Sequence, residues 1–280
     1  MKVIPKAGLF FWFLVFGFWI RRWLRTLPAF VFVLSILVLV YILFKPDFDV
    51  LTVAPYILFI QNFSSPHPSF FPEAWSLSVE EWFYCLLPIF VVFWTYFCKF
   101  APKKSFVYTI VLCIIIVMAF RYYRFVEITL VSVNDWDLFF RKQVITRLDS
   151  LMYGVLGGWI AFYYPQKWSK YKKLVFFVGL FFLLFDRYFA PILFGEIGLY
   201  SAVFSFSIIS FSVLLLLPFL STWKTYYGFM YKPIMYISLC SYWMYLLNLS
   251  VLQGLFINQI AWSNYVHPSF LAEVLSYIVY

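Results

Sequence analysis

Two arginines near the start of the chain have the spacing of an anion-binding pair. Arg22 and Arg25 are three residues apart, so on a helix they project from one face, just before an apolar run that begins at Thr26. Two guanidinium groups on one face can hold a diphosphate or a carboxylate through paired hydrogen bonds. Arginines at this position are also typical of the positive residues that anchor a membrane helix on its cytoplasmic side. The spacing is compatible with both roles.

A second group of polar side chains lies in residues 75–84, which read WSLSVEEWFY. Ser76 or Ser78 could cap a helix whose first turn carries Glu80 or Glu81, which is how an ordinary helix begins. A carboxylate next to a membrane helix is costly, however, and such residues are usually functional. Glu80, Glu81 and Tyr84 lie within one turn and could supply a base, a hydroxyl group or a partner for the arginines, and helix capping is an equally good explanation.

Two further groups of polar residues interrupt apolar segments. Arg147 and Asp149 are two residues apart and so point in different directions on a helix, which predicts partners on other helices and makes them a candidate site. Tyr242, Tyr245 and Asn248 repeat every three residues and form a polar stripe on one helix. Such a stripe is equally compatible with the lining of a cavity and with hydrogen bonds between helices.

The composition places all of these residues in a membrane. Hydrophobic residues make up 65% of the 280 residues and charged residues 12%, whereas soluble domains have roughly 45–50% and about 25%. A water-soluble fold could not bury this much apolar surface. The net charge of +9 does not indicate nucleic-acid binding, because the basic residues lie between apolar runs. We therefore predict an all-α, polytopic transmembrane helical bundle that forms a single domain over residues 1–280.

Stretches without charged residues define the elements that must position these side chains. We expect about seven full membrane spans, partial segments at both ends (residues 8–20 and 269–280), and one re-entrant segment at residues 51–63, which are too few to cross a bilayer easily. The predicted spans cover residues 26–44, 82–98, 105–120, 150–166, 174–194, 197–223 and 234–257, of which only 174–194 is interrupted by charged residues, Asp186 and Arg187.

The distribution of charge supports the re-entrant assignment. If residues 51–63 do not cross, 14 of the 21 basic residues and none of the 12 acidic residues lie on one side of the membrane. The positive-inside rule makes that side cytoplasmic. If residues 51–63 do cross, every later loop changes sides and the asymmetry disappears.

Taken in order, the four groups resemble the acyltransferase 3 family. The resemblance rests on RRxxRxxP at the start of a membrane helix, WSLxxExxF, RxD before a glycine-rich helix, and SYxxYLL, and it runs from about residue 19 to residue 248. It implies an integral-membrane O-acyltransferase that modifies cell-surface carbohydrates in bacteria. It also implies that Arg22 and Arg25 help to hold the acyl donor, acetyl-CoA. Ser76 and Glu80 fall on family positions of the second motif.

The sequence also departs from the family pattern. The family usually begins with a helix that carries an arginine and then a histidine thought to be essential for transfer, and nothing before Arg21 matches it. Asn248 stands where relatives often have a histidine. We therefore expect an N-terminally incomplete acyltransferase domain with little transfer activity on its own.

Together these features predict a multi-pass enzyme of the inner or plasma membrane that moves an acyl group, most simply acetyl, from acyl-CoA to a carbohydrate hydroxyl. The expected partners are the lipid bilayer, the acyl-CoA donor and the carbohydrate acceptor, with no bound cofactor, metal or nucleic acid. The alternatives are a carrier or flippase for a lipid-linked saccharide and a degenerate structural remnant. The expected catalytic residues are Glu80, Ser76 and Tyr84. The expected donor- and substrate-binding residues are Arg22, Arg25, Trp75, Arg147, Asp149, Tyr245 and Asn248.

Overall fold

The computed structural model describes residues 5–222 and 228–256, and the regular structure of these residues is entirely helical. The prediction of an all-α fold is confirmed. The α-helices are α1 (Pro5–Phe44), α2 (Ala54–Ile57), α3 (Ala74–Tyr96), α4 (Pro102–Glu127), α5 (Val133–Trp136), α6 (Leu148–Tyr163), α7 (Pro165–Lys170), α8 (Lys172–Leu184), α9 (Ala190–Phe194), α10 (Ser205–Leu220) and α11 (Tyr231–Leu247). Wider or tighter helical turns cover Val50–Val53 (3₁₀) and Asp137–Arg141, Phe185–Phe189, Tyr200–Phe204 and Asn248–Phe256 (π).

Six helical segments in the described part of the chain are long and apolar enough to cross a membrane. They are Val15–Phe44, Ala74–Tyr96, Pro102–Glu127, Lys172–Phe194, Tyr200–Leu220 and Tyr231–Gly254. The chain is therefore a multi-pass membrane protein.

The predicted span at residues 150–166 corresponds to α6, which is shorter than the six segments above. Helix α6 has 16 residues, which extend about 24 Å at 1.5 Å per residue; the hydrocarbon core of a bilayer is about 30 Å thick. The helix ends at Tyr163 because Pro165 restricts the backbone of Tyr164, and α7 then starts at the proline. The predicted continuation to Gln166 was wrong.

Helix α1 is one continuous helix of 40 residues. The sequence predicted a partial helix at residues 8–20 and a separate span at residues 26–44, divided at Arg21. The division was wrong because charge marks the edge of a membrane and does not end a helix, and arginine is among the better helix formers. The predicted partial segment at residues 269–280 lies outside the described residues.

Residues 51–63 do not form a spanning helix. They contribute to the 3₁₀ turn Val50–Val53 and to α2, which have four residues each, and a crossing takes about 20. The chain then turns at Phe59, whose φ of 56° lies in the left-handed region. That this segment is re-entrant remains a prediction.

The described chain divides into two compact units. The terminal unit contains residues 5–58, 68–74 and 228–256, and the central unit contains residues 59–67 and 75–222. In the terminal unit, α1 and α11 are joined by aromatic contacts such as Phe32 with Trp243, whose ring centroids are 6.0 Å apart. Phe30 of α1 stacks on Phe71 with a centroid distance of 5.6 Å, so residues 68–74 also pack on α1.

The central unit is built on α4, α6, α8 and α10. Glycines allow two of these helices to approach α10 closely. A Cβ atom at Gly179 of α8 would lie 2.7 Å from the carbonyl oxygen of Ser212, and one at Gly157 of α6 would lie 2.6 Å from the Cδ1 atom of Leu214. Phe83, Ile110 and Met152 form a buried apolar cluster between α3, α4 and α6.

Candidate functional site

The arginine pair lies within α1, in the terminal unit. Arg22 is half-buried and Arg25 is exposed, and their spacing places both on one side of the helix. Thr26 donates a hydrogen bond of 3.1 Å to the carbonyl oxygen of Arg22. Within the residues that the structure describes, Arg25 has no ion pair or side-chain hydrogen bond. Its N–H donors are therefore available to an anionic ligand.

The terminal unit also contains a buried carboxylate, Glu73, that was not among the predicted site residues. Glu73 is 1% exposed, and its Oε1 atom accepts hydrogen bonds from the backbone N–H groups of Leu249 (2.5 Å) and Ser250 (2.6 Å). The Ser250 hydroxyl donates to Oε2 of the same carboxylate. Glu73 thus fixes the chain that enters α3 to the π-helical turn after α11. A carboxylate at the start of a membrane helix was the available signal for it.

The polar stripe of α11 makes hydrogen bonds to other segments. The Tyr242 hydroxyl donates to the carbonyl oxygen of Thr26 (3.0 Å), and the Tyr245 hydroxyl donates to the carbonyl oxygen of Glu73 (2.5 Å). The sequence left open whether this stripe lines a cavity or forms hydrogen bonds between helices. These two tyrosines form hydrogen bonds to other segments. Asn248 is half-buried and begins the π-helical turn Asn248–Phe256.

Three candidate catalytic residues lie on one face of α3. Ser76, Glu80 and Tyr84 follow one another at intervals of four residues, and all three are half-buried. Helix α3 begins at Ala74, so the prediction that Ser76 or Ser78 caps it was wrong. Ser78 is buried inside the central unit instead. Its hydroxyl oxygen accepts a hydrogen bond of 2.5 Å from the side-chain amide of Gln61.

Trp75 contacts residues 141–142, which precede α6 in the chain. The guanidinium group of Arg141 lies 5.9 Å from the centroid of the Trp75 ring, which is within the range of a cation–π contact. The side-chain amide of Asn62 donates to the carbonyl oxygens of Trp75 (3.1 Å) and Lys142 (2.6 Å). The loop at residues 59–67 therefore holds the start of α3 against this segment.

Asp149 has partners on two other helices, as the spacing predicted. Arg121 of α4 donates to its Oδ2 atom at 2.5 Å, and Ser207 of α10 donates to the same oxygen at 2.8 Å. Arg121 also donates to the Ser207 hydroxyl at 2.7 Å, which closes a three-membered network. The side chains of Arg121 and Asp149 are fully buried. Sequence analysis missed Arg121 because it ended the apolar stretch at Phe120, whereas α4 continues to Glu127.

Arg147 lies beside this network without joining it. Its guanidinium group is 4.6 Å from the centroid of the Phe206 ring, and that of Arg121 is 5.4 Å from the same ring. Burial lowers the pKa of Arg147 to about 10, so it stays positively charged at neutral pH. In the described part of the chain no carboxylate forms an ion pair with it. Its charge is therefore available to a polar or anionic ligand.

The expected site residues are divided between the two units. Among the residues that the structure describes, no three His, Cys, Asp or Glu side chains are close enough together to hold a metal ion. The terminal unit contains Arg22, Arg25, Tyr245 and Asn248, and the central unit contains Trp75, Ser76, Glu80, Tyr84, Arg147 and Asp149.

Comparison with known proteins identifies the family. A family model described as an acyltransferase domain, that of acyltransferase 3, matches residues 7–280 and so covers almost the whole chain. No curated protein and no solved structure matches significantly. With its six membrane-spanning helical segments, the chain belongs to the acyltransferase 3 family and is a membrane acyltransferase.

Proposed function

We propose that the protein transfers an acyl group, most simply acetyl, from a CoA thioester to a hydroxyl group of a cell-surface carbohydrate, and that it does so in the inner or plasma membrane. The observation that carries the proposal is the arginine pair of α1. Arg25 has no anionic partner in the described chain, and arginine is the residue that best matches the geometry of phosphate oxygens. CoA carries a diphosphate and a further phosphate, which suit such a pair.

The position of the pair within α1 supports a water-soluble donor. The 19 residues after Arg25, up to Phe44, carry no charge. They extend about 28 Å, close to the thickness of the hydrocarbon core. The guanidinium groups therefore belong at one surface of the membrane, where a nucleotide donor reaches them from water. The excess of basic residues in the loops of that side makes it cytoplasmic.

The face of α3 supplies groups for the transfer step. In this step the acceptor hydroxyl oxygen bonds to the thioester carbonyl carbon, the C–S bond breaks, and the hydroxyl proton ends on the departing CoA sulfur. The Glu80 carboxylate accepts or orients the acceptor proton, a role that typically accelerates a reaction about 10²–10⁴-fold. Ser76 and Tyr84, on the same face, supply hydroxyl groups that orient the acceptor or the thioester carbonyl.

Arg147 provides a contact for the acceptor in the central unit. Its charged guanidinium group is held against the Phe206 ring, and the network of Arg121, Asp149 and Ser207 fixes the helices on either side. Asp149 thereby acts as a positioning residue. The guanidinium N–H groups of Arg147 suit sugar hydroxyl groups or an acidic sugar substituent.

The donor assignment is tested by replacing Arg22 and Arg25 separately with lysine, which keeps the charge but loses the paired hydrogen bonds. One charge-assisted hydrogen bond contributes about 1.5–3 kcal/mol, so the affinity for acetyl-CoA should fall about 10- to 100-fold in each variant. The measurement is CoA binding to the protein in nanodiscs. Arg187→Lys, which changes an exposed arginine in the central unit, is the matched control. If both variants bind CoA like the parent protein, the arginines are membrane anchors and the donor proposal fails.

A further inference from the structure

An apolar groove opens on the central unit beside α4 and α6. Its volume is about 360 Å³, more than ten times the share of a water molecule in the liquid, which is about 30 Å³. On α6 it extends from Val155 to Tyr163, about 12 Å along the helix. These dimensions suit a segment of a hydrocarbon chain that lies parallel to α6. The lining residues are Phe106, Val155, Gly158, Trp159, Phe162 and Tyr163.

One end of the groove carries a positive charge. The ammonium group of Lys103 lies 5.1 Å from the centroid of the Tyr163 ring and 5.8 Å from that of Trp159, both of which line the groove, and 4.4 Å from that of Tyr164. The indole N–H of Trp159 donates to the Lys103 carbonyl oxygen at 3.1 Å. A hydrogen bond from Lys103, together with its charge, lowers the pKa of the Tyr164 hydroxyl. The cation is thus held at the aromatic end of the groove.

No acidic residue in the part of the chain that the structure describes forms an ion pair with this cation. Residues 82–126 and 150–185, which form or adjoin the helices around it, contain no Asp or Glu, and Lys103 has no ion pair in the described chain. Lys104, Lys167 and Lys170 add to the positive charge of the same segments. A ligand with an apolar chain and a negatively charged head would complement both the apolar groove and the positive charge of Lys103.

We propose that the groove is a binding site for an anionic phospholipid of the membrane, with one acyl chain along α6 and the headgroup phosphate on Lys103. Phe162 and Gly158 are exposed on the outside of the helix, where lipid reaches them directly. Trp and Tyr concentrate at the level of lipid headgroups, which is where the aromatic residues around Lys103 would place the phosphate. Basic residues near the membrane surface attract anionic lipids.

This site is independent of the proposed acetyl transfer. The two-carbon acyl group that the proposed reaction transfers would leave most of the groove empty. A lipid chain would also fill the exposed surface of α6, the helix that is shorter than the six spanning segments.

Gly158 offers a direct way to close the groove. A Cβ atom there would meet nothing within 4 Å, so Gly158→Phe places its ring in the open groove without a clash in the bundle. Gly154→Phe is the matched control, because a Cβ atom at Gly154 also meets nothing within 4 Å and Gly154 does not line the groove. Lys103→Gln removes the charge without filling the groove, and Lys104→Gln removes a charge from the exposed neighbour.

The measurement is native mass spectrometry of the purified protein, titrated with phosphatidylglycerol, with phosphatidylcholine of the same chain length, and with palmitoyl-CoA. We expect the parent protein, Gly154→Phe and Lys104→Gln to retain phosphatidylglycerol at least several-fold better than phosphatidylcholine. Lys103→Gln should lose that preference, and Gly158→Phe should lose both lipids.

Two results would overturn the proposal. One is retention of phosphatidylglycerol by both Gly158→Phe and Lys103→Gln at the level of the parent protein. The other is a groove that takes palmitoyl-CoA and no phosphatidylglycerol, which would assign it to a long-chain donor. Failure of either kind leaves the arginine test of acetyl-CoA binding unaffected, because that test involves other residues and another ligand.

Discussion

At the scale of single residues, buried carboxylates fix segments that are distant in sequence. Asp149 joins α4, α6 and α10 through Arg121 and Ser207, and Glu73 joins the start of α3 to the turn after α11 through Ser250. Removing a charge from water costs several kcal/mol, which only good hydrogen-bond geometry offsets. Each network therefore tolerates one arrangement of its helices and disfavours any shift in their register.

We predict that the pair of Arg121 and Asp149 is strongly coupled. Asp149→Leu and Arg121→Met should each lower the free energy of unfolding by about 3–5 kcal/mol, because each leaves an uncompensated buried partner. The double variant Arg121→Met/Asp149→Leu should recover most of this loss. Thermal unfolding in one detergent would measure the cycle. Asp137→Asn, which breaks a partly exposed ion pair with Lys142, should cost at most about 1 kcal/mol. Additive effects of the two core substitutions would contradict the coupling.

Glu80 carries the prediction for catalysis. If it were only a carboxylate near a helix start, Glu80→Gln would cost at most about 1 kcal/mol of stability and leave transfer intact. We expect instead that, in a chain that also carries the arginine- and histidine-bearing first helix typical of the family, acylation falls at least about 10²-fold while the protein inserts normally. NMR of the surface glycan at equal expression measures the acyl content, and Glu127→Gln, an exposed carboxylate at the end of α4, is the control. Parent-level acylation in Glu80→Gln would remove Glu80 from the catalytic set.

The sequence indicated that these charged residues are important, but it did not indicate which residues they contact. The two-residue spacing of Arg147 and Asp149 predicted a partner on another helix, and Arg121 is that partner for Asp149. That partner could not be chosen from the sequence, because the pairing depends on how α4 and α6 pack. Glu73 was visible as a carboxylate beside a membrane helix. Its donors are two backbone N–H groups and a hydroxyl, and these carry no pattern in the sequence.

At the scale of elements, hydropathy identified the helices, and charge misplaced some of their ends. Arg21 was taken as the end of a helix, yet α1 continues through it, because a guanidinium group on a long side chain remains in water while its backbone stays helical. Arg121 was likewise placed outside α4 and is buried within it. Proline marked an end only in some places: α6 stops just before Pro165, whereas Pro28, Pro88 and Pro218 lie inside α1, α3 and α10.

The packing of α8 on α10 depends on one glycine. A Cβ atom at Gly179 would lie 2.7 Å from the Ser212 carbonyl oxygen and 2.9 Å from the Leu215 Cβ atom, and neither atom can move without its helix. We expect Gly179→Ala to lower the free energy of unfolding by about 1–3 kcal/mol. Gly158→Ala, where a Cβ atom meets nothing within 4 Å, should be neutral or stabilising by up to about 1 kcal/mol. Equal melting temperatures for the two variants would refute the close contact.

At the scale of the whole molecule, the basic residues are distributed unequally between the two sides of the membrane. If the six candidate spans and α6 all cross the membrane, 14 of the 21 basic residues fall on one side, in loops without an acidic residue. This asymmetry requires residues 51–63 to return to the side from which they start. Their longest helical elements have four residues, too few to cross. It also requires α6 to cross in spite of its 16 residues, which local thinning of the bilayer makes possible.

The topology can be tested with single cysteines at Arg25, Lys103 and Lys172, introduced after the four native cysteines are replaced, since all four are free and Cys240 is exposed. We expect a membrane-impermeant maleimide to label all three positions from the cytoplasmic side only, because only this arrangement collects the basic loops together. Labelling of Lys103 from the side opposite to Arg25 would mean that residues 51–63 cross the membrane. If Lys103 and Arg25 share a side and Lys172 is labelled from the other, α6 does not cross, and the 16-residue helix lies within the membrane without reaching its second surface. The first result would place Lys103 and the groove beside it on the side of the membrane opposite to the arginines that we assign to the donor, and the second would change the position of α6, which lines the groove, in the bilayer.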